Sequence, residues 1–312
     1  MASNIRIIFY GTGGSWPTPL RAMPGVGVKV DDVLNLFDCG EGTQRQIMKS
    51  STSFMDIDNI FITHFHGDHF LGIMGLVQSM SFNNRSKPLN VFGPQGAIKI
   101  LSNALNVGYY TLHFPLKIYE LEPDRAYDMG KFVIRTLLND HPVPAISYSI
   151  EEKDLVRIDP EKAKEKNIPS RIIEKIRENG VYTYRGNEYR IDDISGGIRK
   201  GRRIVYTGDT RPMDRMVEFA RGADVLIHDT TTDSSFEPMV NEFGHTSSRQ
   251  AARIAKQAGV GRLFLYHYSP RITDTSVLLQ DARTEFENVY ESKDLMEYEV
   301  RVRREGGRDP DM

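Results

Sequence analysis

The run Thr63-His64-Phe65-His66-Gly67-Asp68-His69 constrains this chain more than any other stretch. It sets three imidazoles and a carboxylate directly behind the apolar residues Ile60-Phe61-Ile62. A strand that ends there delivers its last residues into a loop at the sheet edge. Neutral imidazole nitrogens and carboxylate oxygens are the usual ligands of catalytic zinc. On extended backbone, residues i and i+2 point the same way, so His64 and His66 can grip one ion. Gly67 lets the chain bend, which brings Asp68 and His69 within reach of a second ion. The whole chain holds only 8 histidines, so their crowding here is not incidental.

At 312 residues the chain is long enough for one large domain or two small ones. Its hydrophobic fraction, 39%, is ample for a packed core. No apolar run approaches the ~18 residues of a membrane span. The start, Met1-Ala2-Ser3-Asn4-Ile5-Arg6, lacks the long apolar core of a secretory signal. Cys39 is the sole cysteine, which excludes an intramolecular disulfide and a cysteine-rich zinc site. These features lead us to expect a soluble cytoplasmic protein without membrane contact. The formal charge of -2 neither supports nor excludes nucleic acid, because binding needs a local basic patch and not a basic whole.

Short apolar runs punctuated by turns predict strands at Ile5–Tyr10, Leu34–Phe37, Asn59–Thr63, Leu89–Phe92, Phe132–Leu138, Arg203–Thr207, Asp224–Ile227 and Arg262–Tyr266. Helices are expected over Glu41–Lys49, Phe70–Met80, Gln95–Asn106 and Ser247–Ala258, the last stopped by Gly259. Strands mixed with helices argue for an α/β sandwich. The stretch from Ser149 to Arg199 is different: charged, thinly apolar, and interrupted by Pro160, Pro169 and Gly196-Gly197. It reads as an insertion, at about residues 149–199, in a single domain. Within it Lys162, Lys164, Lys166, Arg171, Lys175 and Arg177 face only Glu165 and Glu174. Alone, such a run reads equally as a solvated helix.

Further candidates share one property: each lies just past a predicted strand. His141 follows Phe132–Leu138, Asp209 follows Arg203–Thr207, and His267 follows Arg262–Tyr266. With His64, His66, Asp68 and His69 they make a set suited to two adjacent ions, with one carboxylate bridging and water completing the coordination.

The pattern H-x-H-x-D-H followed by a later His, Asp and His resembles the metallo-β-lactamase superfamily. More narrowly, the chain is similar to the RNase Z family of tRNA 3′-processing endoribonucleases. The matching segments are Phe37-Asp38-Cys39-Gly40-Glu41-Gly42-Thr43-Gln44, the His64–His69 cluster, Val205-Tyr206-Thr207-Gly208-Asp209-Thr210-Arg211-Pro212, Gly244-His245-Thr246 and His267-Tyr268-Ser269-Pro270-Arg271. His228-Asp229-Thr230-Thr231 is similar to the family's His-Glu-Ala-Thr segment with two substitutions. The resemblance implies a four-layer αβ/βα sandwich, two zinc ions, a homodimer, and an insertion that serves as a tRNA-binding arm. Two segments depart from the family. Thr18-Pro19-Leu20-Arg21-Ala22-Met23-Pro24 keeps only Arg21 of the usual basic and Asn residues, and Ile168-Pro169-Ser170-Arg171 lacks the usual glycine.

On spacing and family pattern together, His64, His66 and His141 are expected on one zinc. Asp68, His69 and His267 are expected on the other, with Asp209 bridging. Asp68 is the candidate to orient the nucleophilic water and take its proton, and His245 the general acid for the leaving 3′-oxygen. Lys164, Lys166, Arg171 and Lys175 of the arm are expected to meet the RNA. Arg271 meets either a phosphate or a carboxylate. His228 either orients His245 or packs at a strand end. His113 and Cys39 read as structural. The expected activity is removal of the 3′ trailer from precursor tRNA. The alternatives are hydrolysis of a small phosphodiester or other ester, which has no use for a basic arm, and a zinc-stabilised RNA-binding protein, which would leave no coordination position for water.

Overall fold

The computed structural model describes residues 4–302. The chain first forms β1 (Ile5–Gly11), β2 (Gly25–Val30), β3 (Val33–Phe37), β4 (Ile57–Phe61), β5 (Leu89–Gly93) and β6 (Leu116–Glu120). Then come β7 (Ala126–Asp128), β8 (Phe132–Leu138) and β9 (Ile146–Glu152). An inserted segment holds β10 (Leu155–Ile158), β11 (Val181–Tyr184), β12 (Asn187–Arg190) and β13 (Ser195–Arg199). The chain continues through β14 (Arg203–Tyr206), β15 (Val225–Asp229), β16 (Arg262–Tyr266), β17 (Val289–Glu291) and β18 (Glu297–Glu299).

These strands build two seven-stranded mixed sheets, ordered β18-β1-β2-β3-β4-β5-β6 and β17-β16-β15-β14-β9-β8-β7. Side-chain alternation assigns the layers, because successive residues of a strand face opposite sides. In β1, Ile5, Ile7 and Phe9 point between the sheets, while Ile8 and Tyr10 point outward. In β16, Phe264 and Tyr266 point inward, while Leu263 and Leu265 point outward. The inner layer is rich in aromatics: Phe37 stacks on Phe61 at 4.9 Å, and Tyr148 and Tyr206 meet Phe37 edge-on. Helix Ile73–Phe82 covers the outer face of the first sheet through Ile73, Leu76, Val77 and Met80. Helix Ser248–Ala258 covers that of the second through Ala251, Ala252 and Ala255. The result is the expected four-layer αβ/βα sandwich. Among the described residues no helix is long and apolar enough to cross a membrane.

The expected elements recur with shifted ends. β4 stops at Phe61, two residues early, because Thr63 turns its amide to Asp38. The helix expected from Phe70 starts at Ile73, after a separate turn over Gly67–Phe70. β15 runs to Asp229, so His228 lies inside a strand. The expected insertion also needs correction at its first residues. Ser149–Glu152 belong to β9, which is buried between β8 and β14. The inserted segment therefore starts after Glu152. It has a small core of its own, formed by Ala163, Ile168, Ile172, Ile176 and Ile194. Its two sheets pair only among themselves, β10 with β13 and β11 with β12.

Glu152 closes the root of this segment. It accepts hydrogen bonds from Arg199 Nη2 at 2.9 Å and from Arg202 Nε at 2.9 Å, and its side chain is buried. Burial opposes its charge, but the two guanidiniums prevail and pull the carboxyl from 4.5 down to about 2. Removing one partner of a buried pair leaves the other charges uncompensated, at a cost of about 3 kcal/mol or more. Glu152→Gln is expected to lose about that much stability in urea unfolding at pH 7. Because the folded value lies below the unfolded one, this contribution is whole above about pH 4.5 and fades as pH falls toward 2. The unfolding midpoints of wild type and variant should therefore converge on acidification.

Candidate metal centre

In an open sheet, ligand sites form beyond the carboxyl ends of the strands. Here both sheets contribute. β4 leads into His64–His69, β8 into His141, β14 into Asp209 and β16 into His267. The expected ligands, scattered over the sequence, meet at one edge of the sandwich.

His64 Nε2 lies 3.1 Å from His66 Nδ1, which lies 3.2 Å from His141 Nε2. His69 Nε2 lies 3.2 Å from His267 Nε2, and Asp68 Oδ2 lies 3.4 Å from the same atom. Asp209 stands between the groups, with Oδ2 at 3.5 Å from His64 Nε2 and 3.4 Å from His69 Nε2, and Oδ1 at 3.4 Å from His267 Nε2. Donor nitrogens on a tetrahedral zinc stand about 3.3 Å apart, given Zn–N bonds near 2.0–2.1 Å. The spacings match that edge. Asp209 Oδ1 is buried and has no hydrogen-bond partner, an expensive state unless a cation meets it. On both counts the residues present fit metal ions.

The surroundings orient the rings. Asp38, wholly buried with φ +56, accepts His69 Nδ1 at 2.7 Å, Tyr206 Oη at 2.7 Å and the Thr63 amide at 2.8 Å. This bond aims His69 Nε2 at the centre. His141 Nδ1 donates to the Gly244 carbonyl at 2.9 Å, which leaves Nε2 for the centre. His267 adopts φ +65, a strained value for a residue with a side chain. Gly14 lies flat against it, and a Cβ there would stand 2.4 Å from the ring. Gly208 is held as closely, with Thr63 2.7 Å from where its Cβ would be.

The charges divide the centre in two. Burial, reinforced by the neighbouring rings, keeps the His64 imidazole well below its usual pKa, and burial lowers His66 and His141 as well. These are neutral donors. At the other end burial also disfavours charge, but carboxylates outweigh it. Asp209, Asp229 and Asp68 bring His267 up to about 10, and Asp209, Asp68 and Asp38 raise His69. The carboxylate end therefore favours positive charge, which a cation would supply.

His245 lies beside the centre, its ring stacked on His267 at 5.3 Å. Its Nδ1 donates to Asp229 Oδ2 at 3.0 Å. Burial works against its charge, but Asp229 and Asp209 raise its pKa. Asp229 was not among the residues expected to act. The sequence signal for it is the family-like segment His228-Asp229-Thr230-Thr231. His228 is buried within β15, its Nδ1 bonded to the carbonyl of Asp229. Of its two expected roles, packing is the one that matches. Asp209, Asp229, His245 and His267 also lie close enough to share an ion. Asp229 is better read as the partner of His245, since Thr231 Oγ1 already donates to its Oδ1 at 2.8 Å. Arg211 ties the His245 loop to the His141 loop, donating to the carbonyl of Glu242 and to Asp140 Oδ1, both at 2.8 Å.

The family follows from comparison with known proteins. A ribonuclease Z of Thermoplasma acidophilum is 89% identical over 305 residues, spanning 98% of this chain and 99% of that protein. The chain belongs to the ribonuclease Z family. A second member, from Thermoplasma volcanium, is 74% identical, spanning 97% of this chain and 100% of that protein. A family model described as a beta-lactamase superfamily domain matches residues 169–268, and one described as anti-Pycsar protein Apyc1 matches residues 5–156. The crystal structure of human tRNase Z, short form, superposes with a TM-score of 0.71 at 26% identity, covering 95% of this chain and 100% of that one. The sandwich is thus the metallo-β-lactamase fold that carries the ribonuclease Z family.

The residues expected to meet RNA are distributed unevenly. Arg271 is exposed, and no ion pair to it occurs among the described residues. Lys164 is exposed. Lys166 pairs with Asp193 at 3.1 Å. Arg171 lies over the ring of Tyr184 and Lys175 over that of Tyr182, at 5.1 and 5.2 Å. None of the arm residues is part of the histidine cluster.

The hydrogen bond from His69 to Asp38 gives a direct test. An Asp38→Asn variant cannot accept all the donors that now converge on its carboxylate. Losing such an orienting partner costs about 10–100-fold in metal affinity. Competition against a chromophoric chelator should read that loss.

Proposed function

We propose that this chain is a metal-dependent endoribonuclease that removes the 3′ trailer of precursor tRNA, leaving a 3′-hydroxyl on the tRNA. The observation that carries this reading is the convergence of imidazoles and carboxylates from both sheets, in a chain so close to named ribonucleases Z. The proposed resident ions are two zincs. His64, His66 and His141 would hold one, Asp68, His69 and His267 the other, and Asp209 would serve both. When bound, such a pair lowers the pKa of water and offsets phosphoryl charge.

The chain's own groups supply the rest. Asp68 Oδ2 accepts the Ser15 amide at 2.7 Å, which steadies the carboxylate as acceptor for the proton of the attacking water. His245 acts as general acid. Its Nδ1 is engaged by Asp229, so the proton for the leaving 3′-oxygen is carried at Nε2. Asp229 and Asp209 raise the pKa of His245, which favours the protonated ring a general acid needs. Arg271 is the proposed phosphate contact beside the centre. Lys164, Lys166, Arg171 and Lys175 are the proposed contacts of the arm, with the tyrosine rings beside two of them adding stacking surface. A homodimer in the cytoplasm is the proposed working form, which light scattering of the purified protein tests.

Cleavage of an end-labelled precursor tRNA, with product ends mapped, is the deciding experiment. Activity should vanish with chelator and return with zinc. Precursor that stays intact in the metal-replete sample would refute the reading. His245→Ala should retain its metal and lose about 10²–10⁴ in rate. Replacing residues 155–198 with a short linker, which keeps Arg199 on Glu152, should abolish precursor cleavage and spare bis(p-nitrophenyl) phosphate hydrolysis, and equal loss of both would refute the arm's role.

A further inference from the structure

Two large aromatic residues with exposed side chains lie on the loops that border the metal centre. Trp16, the only tryptophan of the chain, is 54% exposed, and Phe243 is 64% exposed. Single exposed aromatics are ordinary on protein surfaces. These two differ in what their backbones hold. Trp16 follows Ser15, whose amide donates to Asp68 Oδ2 at 2.7 Å, and its own amide donates back to the Gly14 carbonyl at 2.9 Å. Gly14 is the residue pressed against His267. Phe243 precedes Gly244, whose carbonyl accepts His141 Nδ1 at 2.9 Å, and His245 follows directly. One aromatic is thus tied to the Asp68–His69–His267 end of the centre and the other to the His66–His141 end.

Both mounts are firm. Trp16 is followed by Pro17, and its loop closes through Arg21, which donates to the Thr18 hydroxyl at 3.0 Å and to the Ile272 carbonyl at 2.6 Å. The loop of Phe243 is gripped by Arg211. An unpaired nucleotide offers a π-face of matching size, and stacking tolerates any base.

We infer that Trp16 and Phe243 are stacking platforms for the unpaired nucleobases on the two sides of the scissile phosphate. The inference rests on the endoribonuclease reading above and deepens it. The phosphate lies over the metal centre, and each neighbouring base is held by one rim aromatic. The substrate must then present unpaired nucleotides on both sides of the cut, with little demand on their identity. A duplex across the cleavage position would be refused, since its bases cannot splay.

The test pairs variants with altered substrates. Trp16→Ala and Phe243→Ala are each assayed on precursor tRNA with all bases present, and on precursors abasic immediately 5′ or immediately 3′ of the cut. Each variant should lose about ten- to a hundredfold in kcat/KM on the intact substrate, mostly through KM, because stacking serves ground and transition states alike. On one of the abasic substrates, a different one for each variant, the same substitution should cost almost nothing further. Trp16→Phe should recover most of the loss. Losses of equal factor on intact and on both abasic substrates would overturn the inference. Wild-type emission gives a second measure, since one tryptophan supplies it. A precursor tRNA with a non-hydrolysable linkage at the cut should quench it, and the same precursor abasic at the nucleotide coupled to Trp16 should not. Equal quenching by both would also overturn the inference, even if the alanine variants fail to fold. No cleavage of precursor by the wild-type enzyme would sink the endoribonuclease reading and this one together. Cleavage without coupling would sink this one alone.

Discussion

The carboxylate of Asp209 is where the two halves of this molecule meet. One sheet delivers His64 and His69 to it, the other His267 and His245, all within 3.8 Å of its oxygens. No local segment can build such a contact. It exists only because Ile7, Phe9, Phe37 and Phe61 of one sheet are locked against Tyr148, Tyr206 and Phe264 of the other. That apolar layer holds the strand ends in register, and the strand ends hold the ligands. Each imidazole nitrogen near another would repel or stay neutral in isolation. Gathered around buried carboxylates, the same nitrogens define places for cations.

A second carboxylate, Asp38, gives the centre its rigidity. It sits at the end of β3 and receives donors from the loop after β4, from His69, and from Tyr206 of the facing sheet. A charged group buried so deeply is stable only with its oxygens satisfied. The same bonds that satisfy it fix the orientation of His69. Asp229 acts on His245 in the same manner. His69 and His245 are each set by a carboxylate behind them, and both bonds lie in the low-dielectric interior that makes them strong.

The loops around the centre are held by backbone contacts, while the inserted segment depends on its own small core and on the Glu152–Arg199–Arg202 cluster at its root. This division suits an enzyme that must keep ligand geometry within tenths of an ångström and still grasp a large substrate. The centre is carried on the sandwich. The basic residues proposed to meet RNA stand apart on a separate scaffold.

Much of the site was legible in the linear chain, because a ligand that follows an apolar run announces a strand end. His64, His66, Asp68, His69, His141, Asp209 and His267 all lie just past strands, and local hydrophobic pattern alone marks those positions. β2 was not legible, since Gly25 and Gly27 break its alternation and its place depends on a tyrosine packed against Gly27. Nor was the sheet membership of Ser149–Glu152, whose charged end is buried only because two arginines cover it. Asp38 and Asp229 fall within segments similar to the family's, but nothing local says what either carboxylate does. Their roles depend on which distant imidazole stands 2.7 or 3.0 Å away, a matter of how sheets pack. Sequence by itself determined the ligand types and the strand ends that bear them, because those follow from side-chain chemistry and a period of two. Tertiary structure alone decided how near the candidate ligands stand to one another, which carboxylate orients which ring, and which aromatics remain in solvent, because those are distances between residues far apart in the chain.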